Sequence, residues 1–267
     1  MSTRKHLIAP SMLFISFCLS CTPPPLLFGP SIEISNTTVT DIDGNVYQTV
    51  KIGNQIWTTE NLRVTKYNDG SAIPNITDNI AWEACSSSTA PAYCYYNNTT
   101  NTDSIKKFGA LYNWYAVSPA NLKKIAPAGW HVPSYAEWVT LMNYLIANGY
   151  NWDGTTRGNK IAKSMASQTG WCKPSSKTKN GVIENDSTKN NRSGFSALPG
   201  GNRRVGHGFF GQSIIEFSFL GAIGSWWCAG DDAYYGVRNG FLICGDAGFY
   251  LNYSSKSNGC SVRLVRD

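Results

Sequence analysis

The chain has 267 residues, 42% hydrophobic and 13% aromatic, enough for one large core or two small ones at roughly 100–200 residues per domain. Charged residues make up 15%, well below the roughly 25% of an average domain, and Asn, Ser, Thr and Gly take their place. Net charge is +6; without Arg4 and Lys5, which fall in the leader, 21 basic residues face 17 acidic ones. That excess is too mild and too scattered for a nucleic-acid partner.

Arg4, Lys5 and His6 precede an apolar run from Leu7 to Leu19. This predicts a signal peptide over residues 1–20, because a membrane span needs about 20 apolar residues. The run ends "FCLSC". A small residue directly before a cysteine is the pattern of a bacterial lipoprotein leader, although Cys18 stands where a Leu-like residue is usual. The pattern predicts a mature chain that starts at an acylated Cys21 and has the membrane as a partner, with plain secretion as the alternative. Either way the chain is expected in the cell envelope, on an outer membrane, or outside the cell. Residues 21–38, with "TPPPLLFGP", read as an extended tether. No later segment could span a membrane.

"DIDGNVYQTVKIGNQIW" follows, with Asp41, Asp43 and Asn45 alternating around a glycine. A calcium loop would need its glycine at the sixth position and a glutamate at the twelfth. Here the glycine is fourth from Asp41 and the twelfth residue is Ile52. Asp43-Gly44 and Gly53-Asn54 are instead turns between β-strands running from Val39 to Leu62. Residues 75–103 read as a long polar loop. Phe108, Leu111, Tyr112 and Tyr115 predict a helix over Ser104–Val117, stopped by Ser118-Pro119. Ser134 and Glu137 form a capping box after Pro133. Trp138, Leu141, Met142, Leu145 and Ile146 then make one apolar stripe, ended by Asn148-Gly149. A short third helix is predicted over Asn159–Ser167. Beyond Gly170, strands are predicted at Phe195–Leu198, Ile214–Phe219, Ser225–Ala229, Phe241–Cys244, Phe249–Tyr253 and Val262–Val265. Helices among short strands, with no composition break, predict one α+β domain over residues 39–267.

Six cysteines follow the leader: Cys85, Cys94, Cys172, Cys228, Cys244 and Cys260. None forms a CxxC pair, so no zinc site is expected. In an exported chain all six are disulfide candidates. Sequence does not fix the pairing, but Cys85 with Cys94, across a polar loop, is favoured.

"DIDGNVYQTVKIGNQIWTTENLRVTKYNDGSAIP", "FGALYNWYAV", "PAGWHVPSYAEWVTLM", "GFSALPGGNR", "GSWWCAG" and "SVRLVRD" occur in this order. Together they resemble the Fibrobacter succinogenes major paralogous domain over about Val39 to Asp267. That resemblance implies an exported, often lipid-anchored protein of Bacteroidetes-like bacteria, similar to the C-type lectin-like fold and with no established enzymatic activity. "GW-x-x-P-x-x-x-EW" and the terminal arginine pattern are also similar to formylglycine-generating-enzyme-like domains. Relatives often carry Cys-Pro before the Gly-Trp and Arg-Cys near the end, where this chain has Ala126-Pro127 and Arg263-Leu264. The resemblance then implies that Leu264 packs near Ala126, and that Cys228, Cys244 and Cys260 supply a replacement staple.

Catalytic signals are thin. His131, at the start of the second predicted helix, reads as structural; His207, between two glycines, is a candidate ligand contact. No serine has a nucleophile-elbow context. The calcium-binding motifs of sugar-binding C-type lectins are absent, "NWDG" at Asn151–Gly154 being a partial echo that a turn explains. Asp231, Asp232 and Asp246 could supply oxygen ligands but read better as turn residues. No metal and no cofactor is expected. "WWCAGDDAYYG" interleaves aromatic rings and acids, a mixture suited to sugar or protein recognition. The candidate contacts are Trp227, Asp231, Asp232, Tyr234 and Tyr235, joined by Arg203 and His207. Alternation puts Trp226 and Cys228 on one side and Trp227 on the other, so one tryptophan belongs to the core. The sequence thus points to a C-type-lectin-like, non-enzymatic binding or adhesion module with a glycan or envelope-protein ligand. The alternatives are a formylglycine-generating-type cysteine enzyme and a purely structural envelope protein.

Overall fold

The computed structural model describes residues 37–173, 179–207, 212–232 and 236–267. The leader, Cys21 and most of the tether lie outside these residues. In chain order the elements begin with strands β1 (Thr38–Thr40), β2 (Val46–Ile52) and β3 (Gln55–Thr58). Then come helix α1 (Asn79–Ser88), β4 (Tyr93–Cys94), α2 (Thr102–Phe108), β5 (Leu111–Tyr112), α3 (Trp114–Val117) and β6 (Trp130–His131). Helices α4 (Tyr135–Ala147) and α5 (Ala162–Met165) precede β7 (Asn202–His207), β8 (Ser213–Ser218), β9 (Ile223–Asp232), β10 (Gly236–Ile243), β11 (Phe249–Ser254) and β12 (Val265–Arg266).

The first two turns fall where the glycines place them. Asp41 accepts from the backbone N–H groups of Asp43 and Asn45 and from the Tyr47 hydroxyl at 2.6 Å. Asp43 accepts from the Thr65 N–H and pairs with Lys66 at 3.2 Å. The oxygens that alternate like calcium ligands are therefore spent on folding. Gly53-Asn54 closes a two-residue hairpin, with Ile52 opposite Gln55. The resulting sheet runs β1-β2-β3-β12-β6, so the end of the chain lies between β3 and β6. A second sheet, β11-β10-β9, is antiparallel, and β4-β5 and β7-β8 form two ribbons. Helices beside antiparallel sheets make this an α+β chain.

Helix α4 forms as its sequence dictates. The Ser134 side chain accepts from the Glu137 N–H, and the Glu137 carboxylate accepts from the Ser134 N–H at 2.8 Å. Trp138, Leu141 and Leu145 are buried, with Met142 and Ile146 packed against the same core. Elsewhere local pattern misleads. The helix expected over Ser104–Val117 is broken into α2, β5 and α3. Gly109 breaks it at φ +74°, where a Cβ would lie 2.7 Å from the Leu62 carbonyl oxygen. The loop expected over residues 75–103 contains α1, capped by the Asp78 side chain on the Ala81 N–H and burying Trp82 and Cys85. The third helix shrinks to the single turn of α5. Residues 195–198 are not a strand, since Ser196 takes φ +53°; β7, unmarked in the sequence, follows them.

Two large cores meet across β9. Trp227 faces a cluster with Tyr112, Val262 and Leu264, while Trp226 and Cys228 face another with Trp57, Trp138, Phe195 and Phe249. Trp138 is central to the second: its ring lies 4.7 Å from Trp57, 5.2 Å from Phe249 and 5.8 Å from Phe195. Truncating such a side chain to alanine costs about 3–5 kcal/mol. Leu264 and Ala126 both belong to the first core.

Candidate functional site

The patch expected around "WWCAGDDAYYG" is not the surface it promised. Trp227 is wholly buried, and its indole N–H donates to the Tyr112 carbonyl at 2.7 Å. Trp226 is equally buried, its N–H on Asn61 Oδ1 at 2.9 Å. Alternation separated the two rings correctly, but both faces of β9 are covered, so both rings are core. Arg203 is also wholly buried and makes no surface contact. It donates to the carbonyls of Ile76, Thr77 and Asp78 and to Asn79 Oδ1, with its guanidinium 4.4 Å from the Trp82 ring and 5.0 Å from Phe217. It is a clamp on the start of α1. Asp231 and Asp232 end β9 and His207 ends β7, but their side chains lie outside the described structure, as do Tyr234 and Tyr235 altogether.

Among the cysteines, Cys172 and Cys244 form a disulfide, with Cα atoms 6.3 Å apart. The favoured Cys85–Cys94 bond is not formed: both are buried thiols. Cys85 sits on α1 with its Sγ at the Ala81 carbonyl, while Cys94 is fixed on β4 opposite Leu111. Cys228 and Cys260 are buried thiols as well, so the staple expected of Cys228, Cys244 and Cys260 is absent. Burial pushes the pKa of Cys94, Cys228 and Cys260 up to about 12 and raises that of Cys85. These thiols are protonated at neutral pH and are poor nucleophiles.

Two clefts remain. The first, of about 840 Å³, lies beneath "PAGWHVP" and is walled by Ala126, Pro127 and Trp130. Pairing of β6 with β12 brings His131 to Asp267, and the capping box brings Glu137 to the same ring. Glu137 receives Nε2 at 2.7 Å and Asp267 receives Nδ1. Partial burial alone would lower the His131 pKa; the two carboxylates outweigh it and raise the pKa above its usual value. With both nitrogens engaged, the imidazole is a clasp between α4 and the chain end. The structural role read for His131 in the sequence fits this geometry.

The second cleft, of about 780 Å³, was missed in the sequence. Tyr150, Trp152, Gln168, Asn190, Asn191 and Arg192 line it. Asn151 organises its rim: wholly buried, it donates to the carbonyls of Thr155 and Gly158 and accepts the Lys160 N–H. That knot turns Trp152 outward, leaving it 42% exposed. The indole lies on Gly181, at φ +84°, where a Cβ would come within 2.1 Å of its Nε1. Below, Lys163 is buried and donates to the carbonyls of Asn185 and Asp186 and to Asn190 Oδ1; burial lowers its pKa. Arg192 stacks 5.2 Å over the Tyr150 ring. The available signal was "NWDG": a tryptophan in a polar turn directly after a helix stop.

The sequence model of the Fibrobacter succinogenes major domain matches residues 50–266. The chain belongs to this family. No curated protein and no solved structure matches it. The matched span of the Fibrobacter succinogenes major domain contains the whole second cleft and all of the first except Asp267. The architecture starts earlier: β1 pairs with β2 and buries Val39 in the first core. No helix among the described residues is long and apolar enough to cross a membrane.

Proposed function

We propose that this protein is an exported, lipid-anchored binding module of a bacterial cell envelope, C-type-lectin-like in fold, that takes carbohydrate in the Trp152 cleft. One observation carries the reading: a half-exposed indole held flat on Gly181 beside a cleft rich in amide side chains. An aromatic face packs on the C–H face of a sugar, and amides both donate to and accept from hydroxyls. The cleft is polar where a drug-like apolar site would be dry. The leader ending at Cys21 supports the anchor. A cysteine enzyme of the formylglycine-generating type is disfavoured by thiols held protonated in the core. The C-type-lectin-like fold is supported by the resemblance of the six motifs.

The test is a glycan array probed with the mature protein, its Trp152→Ala variant and a Trp130→Ala variant from the first cleft. Binding that falls at least tenfold in Trp152→Ala and survives in Trp130→Ala is expected. Silence across glycans, or binding indifferent to Trp152, would refute the reading and leave a structural envelope protein.

A further inference from the structure

The disulfide has a third member. Glu184 Oε2 lies 3.1 Å from Cys172 Sγ. A sulfur in a disulfide carries no proton to donate, so this approach is not a hydrogen bond in the oxidised form. The Sγ atoms of Cys172 and Cys244 and a Glu184 oxygen all fall within 4.8 Å of one another, each residue partly open to solvent. Backbone bonds hold the three residues independently of the S–S link. Cys172 N–H donates to Gly221 O at 2.7 Å, Cys244 N–H to Ala222 O at 2.9 Å, and Glu184 N–H to Cys244 O at 3.4 Å. Two sulfurs and one carboxylate, converging from three remote segments, are the donor set of a tetrahedral zinc site with one open position.

We propose that Cys172, Cys244 and Glu184 form a redox-gated zinc site, closed in the disulfide form and opened by reduction. A dithiol reductant supplies two electrons and two protons to the S–S bond and is itself oxidised to a disulfide. Zn2+ then displaces both thiol protons to solvent, binds the two thiolates and the Glu184 carboxylate, and keeps a water in the fourth position. The required movement is small. A tetrahedral zinc with ordinary bond lengths places two thiolates roughly 3.8 Å apart and a carboxylate oxygen roughly 3.6 Å from each sulfur. Side-chain rotation achieves this with the backbone anchors kept. Hard cations such as Ca2+ are excluded by the thiolates. The site is independent of the Trp152 cleft.

The test titrates zinc into the mature protein before and after reduction by a phosphine, with bound metal counted after desalting and cobalt used as a spectroscopic probe. One zinc per chain in the reduced form and none in the oxidised form is expected, with a thiolate-to-cobalt charge-transfer band. Glu184→Gln, which keeps the disulfide, should weaken zinc binding at least tenfold. A Cys172→Ser, Cys244→Ser double variant controls for the four buried thiols and should bind none. Equal zinc in the double variant, or no stoichiometric zinc in the reduced protein, overturns the proposal. Circular dichroism follows the fold throughout; a reduced protein that unfolds and is not restored by zinc also overturns it.

Discussion

Replacing Arg203 with Met separates a structural arginine from a ligand-binding one. The methionine keeps an unbranched stem between Trp82 and Phe217 but removes every donor. Four acceptors lose the guanidinium, and two of them keep another partner: Thr77 O still receives Asn98 Nδ2 at 3.1 Å, and Asp78 O still receives the Trp82 N–H at 3.0 Å. Ile76 O and Asn79 Oδ1 lose the donors that held them at 2.7 Å. Asn79 is exposed, so water can replace its donor; at about 1–3 kcal/mol for the orphaned Ile76 carbonyl, the loss centres near 2 kcal/mol. For a chain of this size that lowers Tm by about 4–8 °C. Urea denaturation gives the free energy, and amide exchange gives the location: protection should fall first in α1 (Asn79–Ser88). Arg203→Lys should recover only part, since a single ammonium cannot span acceptors set for a planar fork. A variant within about 1 kcal/mol of wild type, well inside the usual surface range, would refute the clamp. Loss of glycan binding at full stability would restore Arg203 as a ligand contact.

Three further outcomes follow from the same geometry. His131 has a folded pKa above its unfolded one, so its clasp on Glu137 and Asp267 stabilises fully below about pH 6.5 and is lost as pH rises through the folded value. Urea midpoints across that window should decline in wild type relative to His131→Gln, and parallel profiles would refute the clasp. The four buried thiols should be silent to an aromatic disulfide reagent in the native state and react stoichiometrically on denaturation; one fast native thiol would revive the cysteine enzyme. Gly181→Ala puts a methyl into the Trp152 indole and strains a left-handed backbone by about 1–2 kcal/mol. Glycan affinity should fall at least tenfold, and an unchanged affinity would mean the ring's position does not matter.

What could be read in the sequence was what local chemistry decides. The capping box and stripe of α4, the hairpin turns at Gly44 and Gly53, and the division of Trp226 from Trp227 all depend on neighbours a few residues away. Whether Trp227 faced solvent did not: Tyr112 and Val262, far off in sequence, cover it. Arg203, read as a candidate ligand contact, is instead buried beside a helix that the sequence presented as a loop. The disulfide joins residues 72 apart and is set by the Gly221-Ala222 turn, which receives both cysteine N–H groups. No spacing in the sequence encodes that meeting.

The interior holds charge as well. Arg203, Arg263 and Lys163 are all buried, and each donates to carbonyl and amide oxygens. Arg263 reaches Thr58 O, Phe195 O and Ser196 O, and shares Asn61 Oδ1 with the Trp226 N–H, so one amide ties together three distant segments. Its burial pushes its pKa down to about 9, still charged at neutral pH. Buried cations held by oxygens in this way serve geometry, although Arg203 Nε has no partner among the described residues, since breaking such a network leaves a charge uncompensated. The second cleft repeats the device with Lys163, whose ammonium gathers the Asn185–Asn190 loop beneath Trp152. The Trp152 cleft itself combines amides, hydroxyls and an aromatic face with the exposed charges of Asp186, Lys189 and Arg192. Added salt should therefore weaken the binding of a charged ligand there more than that of a neutral sugar, because screening acts on exposed charges.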